Sequence, residues 1–416
     1  MRFLHLADVH LDAPFGGRTP AVRRVLQEAA REALSQAVSL AIAEQVHAVL
    51  VAGDLFDGHR LTFATERFIT ADFQRLADAG IPVIYAAGNH DHGGGRHPVT
   101  SLQWPANVTV AAGAEPVRVS IQDRDGSTVG FVTAAGHATA AVTEDLAAGF
   151  PVPPGDHPEV AVLHAQVVGS RGEEGHHPYA PTTLGVLRSA GYDYWALGHV
   201  HGRQVLQESP LICYPGSLMG RTLRETGPRG ALLVDLSDRS VPLSRFHPLS
   251  PVRWEVLPVA GLEEIRSVEG LLDHLQQIWE GARMDDPADP ATRWLIQFRL
   301  SGGSPLWRGL QDPENLATLE REAATLLDAV DVSFRTGGVG PVVDLRREGE
   351  RGDVLGEALR LLGRLHAGEP VLDVAEEELA GYDPERDGSV HAYIQRLMGG
   401  MDRELVARLR MDGDTT

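Results

Sequence analysis

Five short segments carry side chains that bind hard or borderline metal ions: Asp8-Val9-His10, Gly53-Asp54-Leu55-Phe56-Asp57, Gly88-Asn89-His90-Asp91, His164 and Gly198-His199-Val200-His201. Each follows a stretch that reads as a β-strand. No other feature restricts the fold as strongly. In open α/β sheets, sites form beyond the carboxyl ends of strands, so ligands spread from residue 8 to residue 201 share one address only if those strands lie side by side.

The pattern around the segments supports that arrangement. Residues 3–7, 48–52 (AVLVA) and 82–87 read as buried strands, separated by helical stretches at 20–45 and 64–79. Further strands are expected at 117–121, 128–133, 160–164, 194–197 and 230–236. An α/β sandwich of sheets with outer helices follows. Pro248-Leu249-Ser250-Pro251 reads as a boundary. A smaller α/β unit is expected over 251–340, in the order strand 253–257, helix 262–282, strand 294–300, helix 313–329, strand 330–335, with loop DDPADP at 285–290 and a TGGVGP linker at 336–341. A helical tail over 350–416 completes three expected segments, 1–248 being the first.

Composition removes several classes of function. The 416 residues are 43% hydrophobic, enough for a large core, yet contain no apolar run long enough to span a membrane. Cys213 is the single cysteine and residues 1–6 run straight into Asp8, so a cytoplasmic setting is expected. A net charge of −20 argues against coating nucleic acid through bulk charge. Two divalent ions would still place positive charge in the cleft, where it acts most strongly. All 37 basic residues are arginine, which excludes a P-loop ATPase and lysine Schiff-base chemistry.

Asp8 and His10 are two apart, as are His199 and His201, so each pair projects to one side of an extended chain. Gly53 and Gly88 allow sharp turns at strand exits. Mixed Asp, Asn and His donors suit manganese, iron, zinc or magnesium rather than calcium. Two such ions sharing one carboxylate would activate water and clamp a phosphate for in-line displacement. His90, beside Asn89, is a candidate general acid, with Asp91 expected to orient its ring. His5, His47, His92, His97, His137, His176 and His177 are expected to have ordinary roles.

Taken in this order, D-x-H, GD-x-x-D, GNHD, H and GHxH resemble the calcineurin-type metallophosphoesterase superfamily over about residues 1–245. The flanks at Gly53–Asp57, Tyr192–His201 and Tyr214–Ser217 are similar to SbcD-type DNA repair nucleases. The stretches HPYAP at 177–181 and GRTLRETGP at 220–228 are similar to their YhaO-like branch.

The resemblance implies a four-layer sandwich, two sheets flanked by helices, with an α/β cap domain and a helical tail. It implies that Asp8, His10 and His201 hold one metal, Asn89, His164 and His199 a second, and Asp54 both, most often Mn2+. His90 would assist the leaving group. Asp57 stands where another branch of the family has a second catalytic histidine, so it is expected to be structural instead. The resemblance further implies DNA as substrate, 3′→5′ exonuclease action with single-strand endonuclease activity as an addition, a homodimer, and an SbcC-like coiled-coil P-loop ATPase partner docking on the tail.

Arg221 and Arg224 are candidate phosphate contacts, the alternative being a surface ion pair with Glu225. A small-molecule phosphodiesterase or a phosphatase is the alternative enzyme. Phosphatases of the superfamily carry DRG after GD-x-x and Glu in GNHE, whereas here Gly58-His59 follows Asp57 and Asp91 replaces Glu. A non-catalytic scaffold for an ATPase is disfavoured by the complete ligand set.

Overall fold

The computed structural model describes residues 1–58, 61–95, 97–171, 177–239, 242–284, 288–369, 374, 379, 382, 389–398 and 401–411. His59, His176, residues 285–287 and part of the 350–416 tail lie outside the described residues.

Two compact units form, Met1–Trp254 with Asp289–Arg293, and Glu255–Ala288 with Trp294–Thr416. The first contains two six-stranded sheets flanked by helices. Sheet one has the order β12-β11-β1-β2-β3-β4, where β1 is Arg2–Leu6, β2 Ala48–Ala52, β3 Val83–Ala86, β4 Val108–Ala111, β11 Gly230–Asp235 and β12 Leu243–Pro248. Sheet two has the order β5-β6-β7-β8-β10-β9, where β5 is Val117–Gln122, β6 Thr128–Ala135, β7 Glu159–His164, β8 Tyr194–Gly198, β9 Gln204–Glu208 and β10 Leu211–Tyr214.

The sheets enclose an apolar layer that includes Phe3, Leu50, Ile84, Val132, Val162 and Tyr194. His5 is a polar tie across it. Its Nε2 donates to the Leu197 carbonyl at 3.1 Å, which leaves Nδ1 to accept from Tyr194 Oη at 2.9 Å. Burial lowers its pKa to about 3, so it stays neutral.

The helices Pro20–Ala43 and Phe63–Asp78 start where Thr19 and Thr62 accept from the backbone amides of Val22 and Thr65. They pack on each other and bury Leu26, Leu34, Ile69 and Phe73. The other face of sheet two is covered by a second apolar layer containing Leu163, Trp195, Tyr214 and Leu187 of the helix Leu184–Ser189.

The parallel pairings decide where the site lies. β1 runs parallel to β2, and β2 to β3, while β7 runs parallel to β8. Their carboxyl ends therefore emerge together within each sheet.

The second unit has strands β13 (Val252–Val259, which begins in the first unit), β14 (Arg293–Gly303) and β15 (Asp331–Gly340), in that spatial order. Helices Val268–Arg283 and Pro313–Leu326 cover a core with Trp279, Trp294 and Phe298. The segment expected to be a linker at 336–341 instead extends β15. Ser301, Gly302 and Gly303 of β14 pair with Gly338, Val339 and Gly340 after a register shift that absorbs the irregularity. In the tail, Val354–His366 is one helix, and the stretch expected as a single helix at 390–410 is two, Val390–Leu397 and Met401–Met411. The last of these packs on β15.

Candidate metal centre

Asp8 and His10 follow β1, Asp54 follows β2, Asn89 and His90 follow β3, His164 ends β7, and His199 and His201 follow β8. Backbone hydrogen bonds weld these exits together. Asp8 N donates to Gly53 O at 3.1 Å and His10 N to Asp54 O at 2.9 Å. His90 N donates to Asp54 Oδ1 at 2.9 Å, and His199 N donates to Asp8 at 3.2 Å.

Close approach explains the glycines. A Cβ on Gly53 would lie 2.3 Å from His164 Nδ1, and one on Gly88 would lie 2.2 Å from Asp54 Oδ1. The backbone is strained as well. Asp8, His10, Asp54 and His199 hold φ values of 51°, 49°, 52° and 103°. Such conformations cost on the order of 1–3 kcal/mol each and cluster at functional sites.

The ring nitrogens facing the cleft are unprotonated. His164 Nδ1 donates to the Ala52 carbonyl at 2.9 Å, so Nε2 carries a lone pair. His199 Nε2 donates to the His177 carbonyl at 2.9 Å, so there Nδ1 is the bare nitrogen. Both bare nitrogens converge on Asn89 Oδ1, at 3.0 and 3.2 Å. With both rings neutral, these two nitrogens turn lone pairs toward the Asn89 amide oxygen, an arrangement that suits a cation.

Asp8, His10 and His201 place donor atoms within 4.8 Å of one another, and so do Asp8, Asp54 and His164. Neither ring nitrogen of buried His10 has a hydrogen-bond partner; the carboxylates of Asp54 and Asp57 stand 3.7 Å away on its two sides. This donor set fits two divalent ions. Burial, and then mutual repulsion with Asp54, raises the pKa of Asp8, while Asp54 is pushed up to about 7 by burial and by Asp91. Burial lowers those of His10, His164 and His201. Divalent ions would add positive charge beside these two buried carboxylates.

Asp91 does not orient His90, contrary to the sequence expectation. Its carboxylate accepts from the amides of Gly88 (2.6 Å), Leu55 (2.6 Å), Asp54 (3.3 Å) and Phe56 (3.3 Å), and from the Tyr85 hydroxyl. That side chain staples the exit of β3 to the exit of β2. The orienting contact comes from Asp57, whose Oδ1 lies 2.6 Å from His90 Nδ1. Burial alone would raise the Asp57 pKa, but the contacts with His10 and His90 outweigh it and hold the carboxyl well below its usual range. The Asp57 hydrogen bond raises the pKa of His90.

The Arg221 guanidinium faces the site, 3.7 Å from Asp57 Oδ2. Arg224 is exposed, and its amide donates to Thr222 Oγ1 at 3.2 Å. The expected alternative, a surface ion pair with Glu225, does not form: Glu225 is buried and bonds His201 Nδ1 at 3.0 Å. Sequence reasoning missed this role of Glu225, as well as Tyr85 and the His177 carbonyl. The GD-x-x-D spacing did carry a signal for Asp57, since it returns a second carboxylate to the same loop.

A family model described as calcineurin-like phosphoesterase matches residues 1–203. The chain is 32% identical over 335 residues to "Uncharacterized metallophosphoesterase YhaO" of Bacillus subtilis, covering 78% of each chain. It is 27% identical to the SbcD component of the nuclease SbcCD of Rhodobacter capsulatus, covering 66% of this chain and 76% of that one. Over 94 residues it is 37% identical to "DNA double-strand break repair protein Mre11" of Aeropyrum pernix, covering 22% of this chain and 21% of that one.

Proposed function

Because this chain belongs to the calcineurin-like phosphoesterase family, we propose that it is a metal-dependent DNA exonuclease with 3′→5′ polarity. The observation that carries the nuclease reading is the extent of likeness: similarity to the SbcD component of SbcCD covers 66% of the chain, beyond the 1–203 match of the phosphoesterase family.

In this reading Asp8, His10 and His201 would hold one ion and Asn89, His164 and His199 the other, Asp54 would be available to both, and the ions would be Mn2+. When bound, the ions supply Lewis acidity at phosphorus and a water nucleophile at neutral pH. His90 donates a proton to the departing oxygen, and Asp57 fixes its ring and favours its protonated form. Arg221 takes a phosphate oxygen next to the leaving group, and the exposed Arg224 contacts the DNA backbone further out. Asp91 acts by holding the Asp54 and Asn89 loops in register rather than by touching substrate.

Single-strand endonuclease activity, homodimerisation, an SbcC-like coiled-coil P-loop ATPase docking on the 350–416 tail, a capping role for 251–340 and a cytoplasmic setting complete the proposal. The missing lysine supports an ATPase in trans, because a P-loop needs one. Among the described residues no helix is long and apolar enough to cross a membrane.

The net charge of −20 favours a second reading, a small-molecule phosphodiesterase. The test is purified full-length protein with Mn2+, Mg2+ or Zn2+ on single-stranded, duplex and hairpin DNA, alongside bis(p-nitrophenyl) phosphate. Shortening of DNA from 3′ ends in Mn2+ is expected. Hydrolysis of the small diester with every DNA form left intact overturns the nuclease reading. A pull-down analysed by mass spectrometry is expected to recover the ATPase.

A further inference from the structure

The loop that follows β10 reaches back over the metal centre and grips it through a buried carboxylate. Glu225 Oε1 lies 3.0 Å from His201 Nδ1. Its Oε2 accepts from the Arg221 amide at 2.9 Å and from Ser217 Oγ at 3.3 Å. Arg229 closes the arrangement by donating to the His201 carbonyl and, at 3.3 Å, to Ser217 Oγ. The Ser217 amide donates to the same carbonyl at 3.1 Å. Gly216, with φ +79°, is required there, because a Cβ would come within 2.8 Å of the His201 oxygen. Glu225 and its partners in the loop lie beyond the 1–203 match.

We propose that Glu225 is a positioning residue that fixes a metal ligand with one carboxylate oxygen and the phosphate-binding arginine with the other. The first half follows from tautomer chemistry. A carboxylate accepts from Nδ1–H, so the proton stays on Nδ1 and the lone pair of Nε2 faces Asp8 Oδ1, 3.9 Å away. The second half follows from the backbone bond, which sets where the Arg221 side chain begins and so holds its guanidinium beside Asp57. Loss of Glu225 therefore weakens one ion and the phosphate contact together. Loss of Arg221 weakens the phosphate contact alone. The inference rests on the proposed metal centre but not on DNA as substrate.

The experiment is calorimetric titration of the metal-free full-length protein with Mn2+, then of the Mn2+-loaded protein with inorganic phosphate. Circular dichroism melts of the metal-free forms report folding separately. Glu225→Ala is expected to lower one of two Mn2+ affinities about 10- to 100-fold and to weaken phosphate as well. Arg221→Ala is expected to weaken phosphate without lowering either Mn2+ affinity, because it removes a cation that acts on Asp8 and Asp54 and leaves the Glu225 contact with His201 in place. Should Glu225→Ala fail to fold, Glu225→Asp, which keeps the charge but loses the reach, is expected to weaken the same ion about tenfold. Wild-type affinity for two Mn2+ ions in a folded Glu225 variant, even with a lowered melting temperature, overturns the proposal. Failure of the wild type to cut DNA would bear on the substrate reading alone, since neither titration contains DNA.

Discussion

The two units use buried polar groups in opposite ways. Among the described residues the first unit buries Asp8, Asp54, Asp91, Glu159 and Glu225, together with His5, His10, His137, His164, His199 and His201. The second buries only Gln297 and Ser304 among its described polar side chains, and encloses Trp279, Trp294, Phe298 and Phe334 in an apolar core. Backbone strain follows the same division. Among the described non-glycine residues, positive φ occurs at Asp8, His10, Asp12, Phe15, Gln45, Asp54, Ala180 and His199 in the first unit, and at Asp328 in the second. Buried charge and left-handed backbone both cost stability, so a fold retains them where they serve a site. The described interior of the second unit rests on apolar packing.

The largest effect should come from chemistry in the first unit. His90→Ala is expected to lower phosphodiester hydrolysis by about 10²- to 10⁴-fold while two Mn2+ ions still bind. An unchanged rate would remove His90 from the acid role.

Asp91→Ala leaves several buried donors unpaired and should cost roughly 3–5 kcal/mol in denaturant unfolding. A loss below about 1 kcal/mol would mean the staple is dispensable, since one ordinary hydrogen bond contributes that much. In the second unit Phe298, stacked on Phe334 at 5.8 Å, provides the contrast. Phe298→Ala should cost a similar 3–5 kcal/mol by leaving a cavity, with Mn2+ affinity intact under native conditions. A matching fall in Mn2+ affinity would break the division between the units.

The smallest effect on stability has the most informative sign. Folding raises the Asp54 pKa from 3.8 to about 7, so the unfolded chain releases this proton first. The Asp54 contribution to metal-free stability is therefore full below pH 3.8 and declines as pH rises to about 7. Asp54→Asn removes that decline and should stabilise the metal-free protein by roughly 2–4 kcal/mol above pH 7, while abolishing activity. Parallel pH profiles for the two proteins would contradict this.

Much of the first unit was legible because its buried strands are short apolar runs and its ligands stand at their ends. β2 matched the expected residues 48–52, and β1, β3, β7 and β8 differed only at their edges. β4, β9 and β12 escaped because edge strands show little alternation: VTVA is four residues long and LSRFHP is largely exposed; β10, though buried between β8 and β9, escaped because its run LICY is only four residues long. Sheet order was not legible either, since β1 pairs with β11, placing Arg2 opposite Asp235. At the site, the candidate donors that the structure groups together, Asp8, His10 and His201 among them, were readable from residue type and spacing. Their partners were not, because Asp57 and Glu225 reach His90 and His201 through turns whose geometry no spacing rule encodes. Asp91 misled for the same reason: adjacency to His90 in sequence points its side chain the other way, toward the amides of the Asp54 loop.

If the first unit carries its buried charge in order to hold two ions, the metal-free chain must take them up. Calorimetric titration of the metal-free full-length chain with Mn2+ tests this most directly. Two ions per chain are predicted, with saturation raising the melting temperature. Binding of one ion or none, by a chain that is folded throughout, would contradict it.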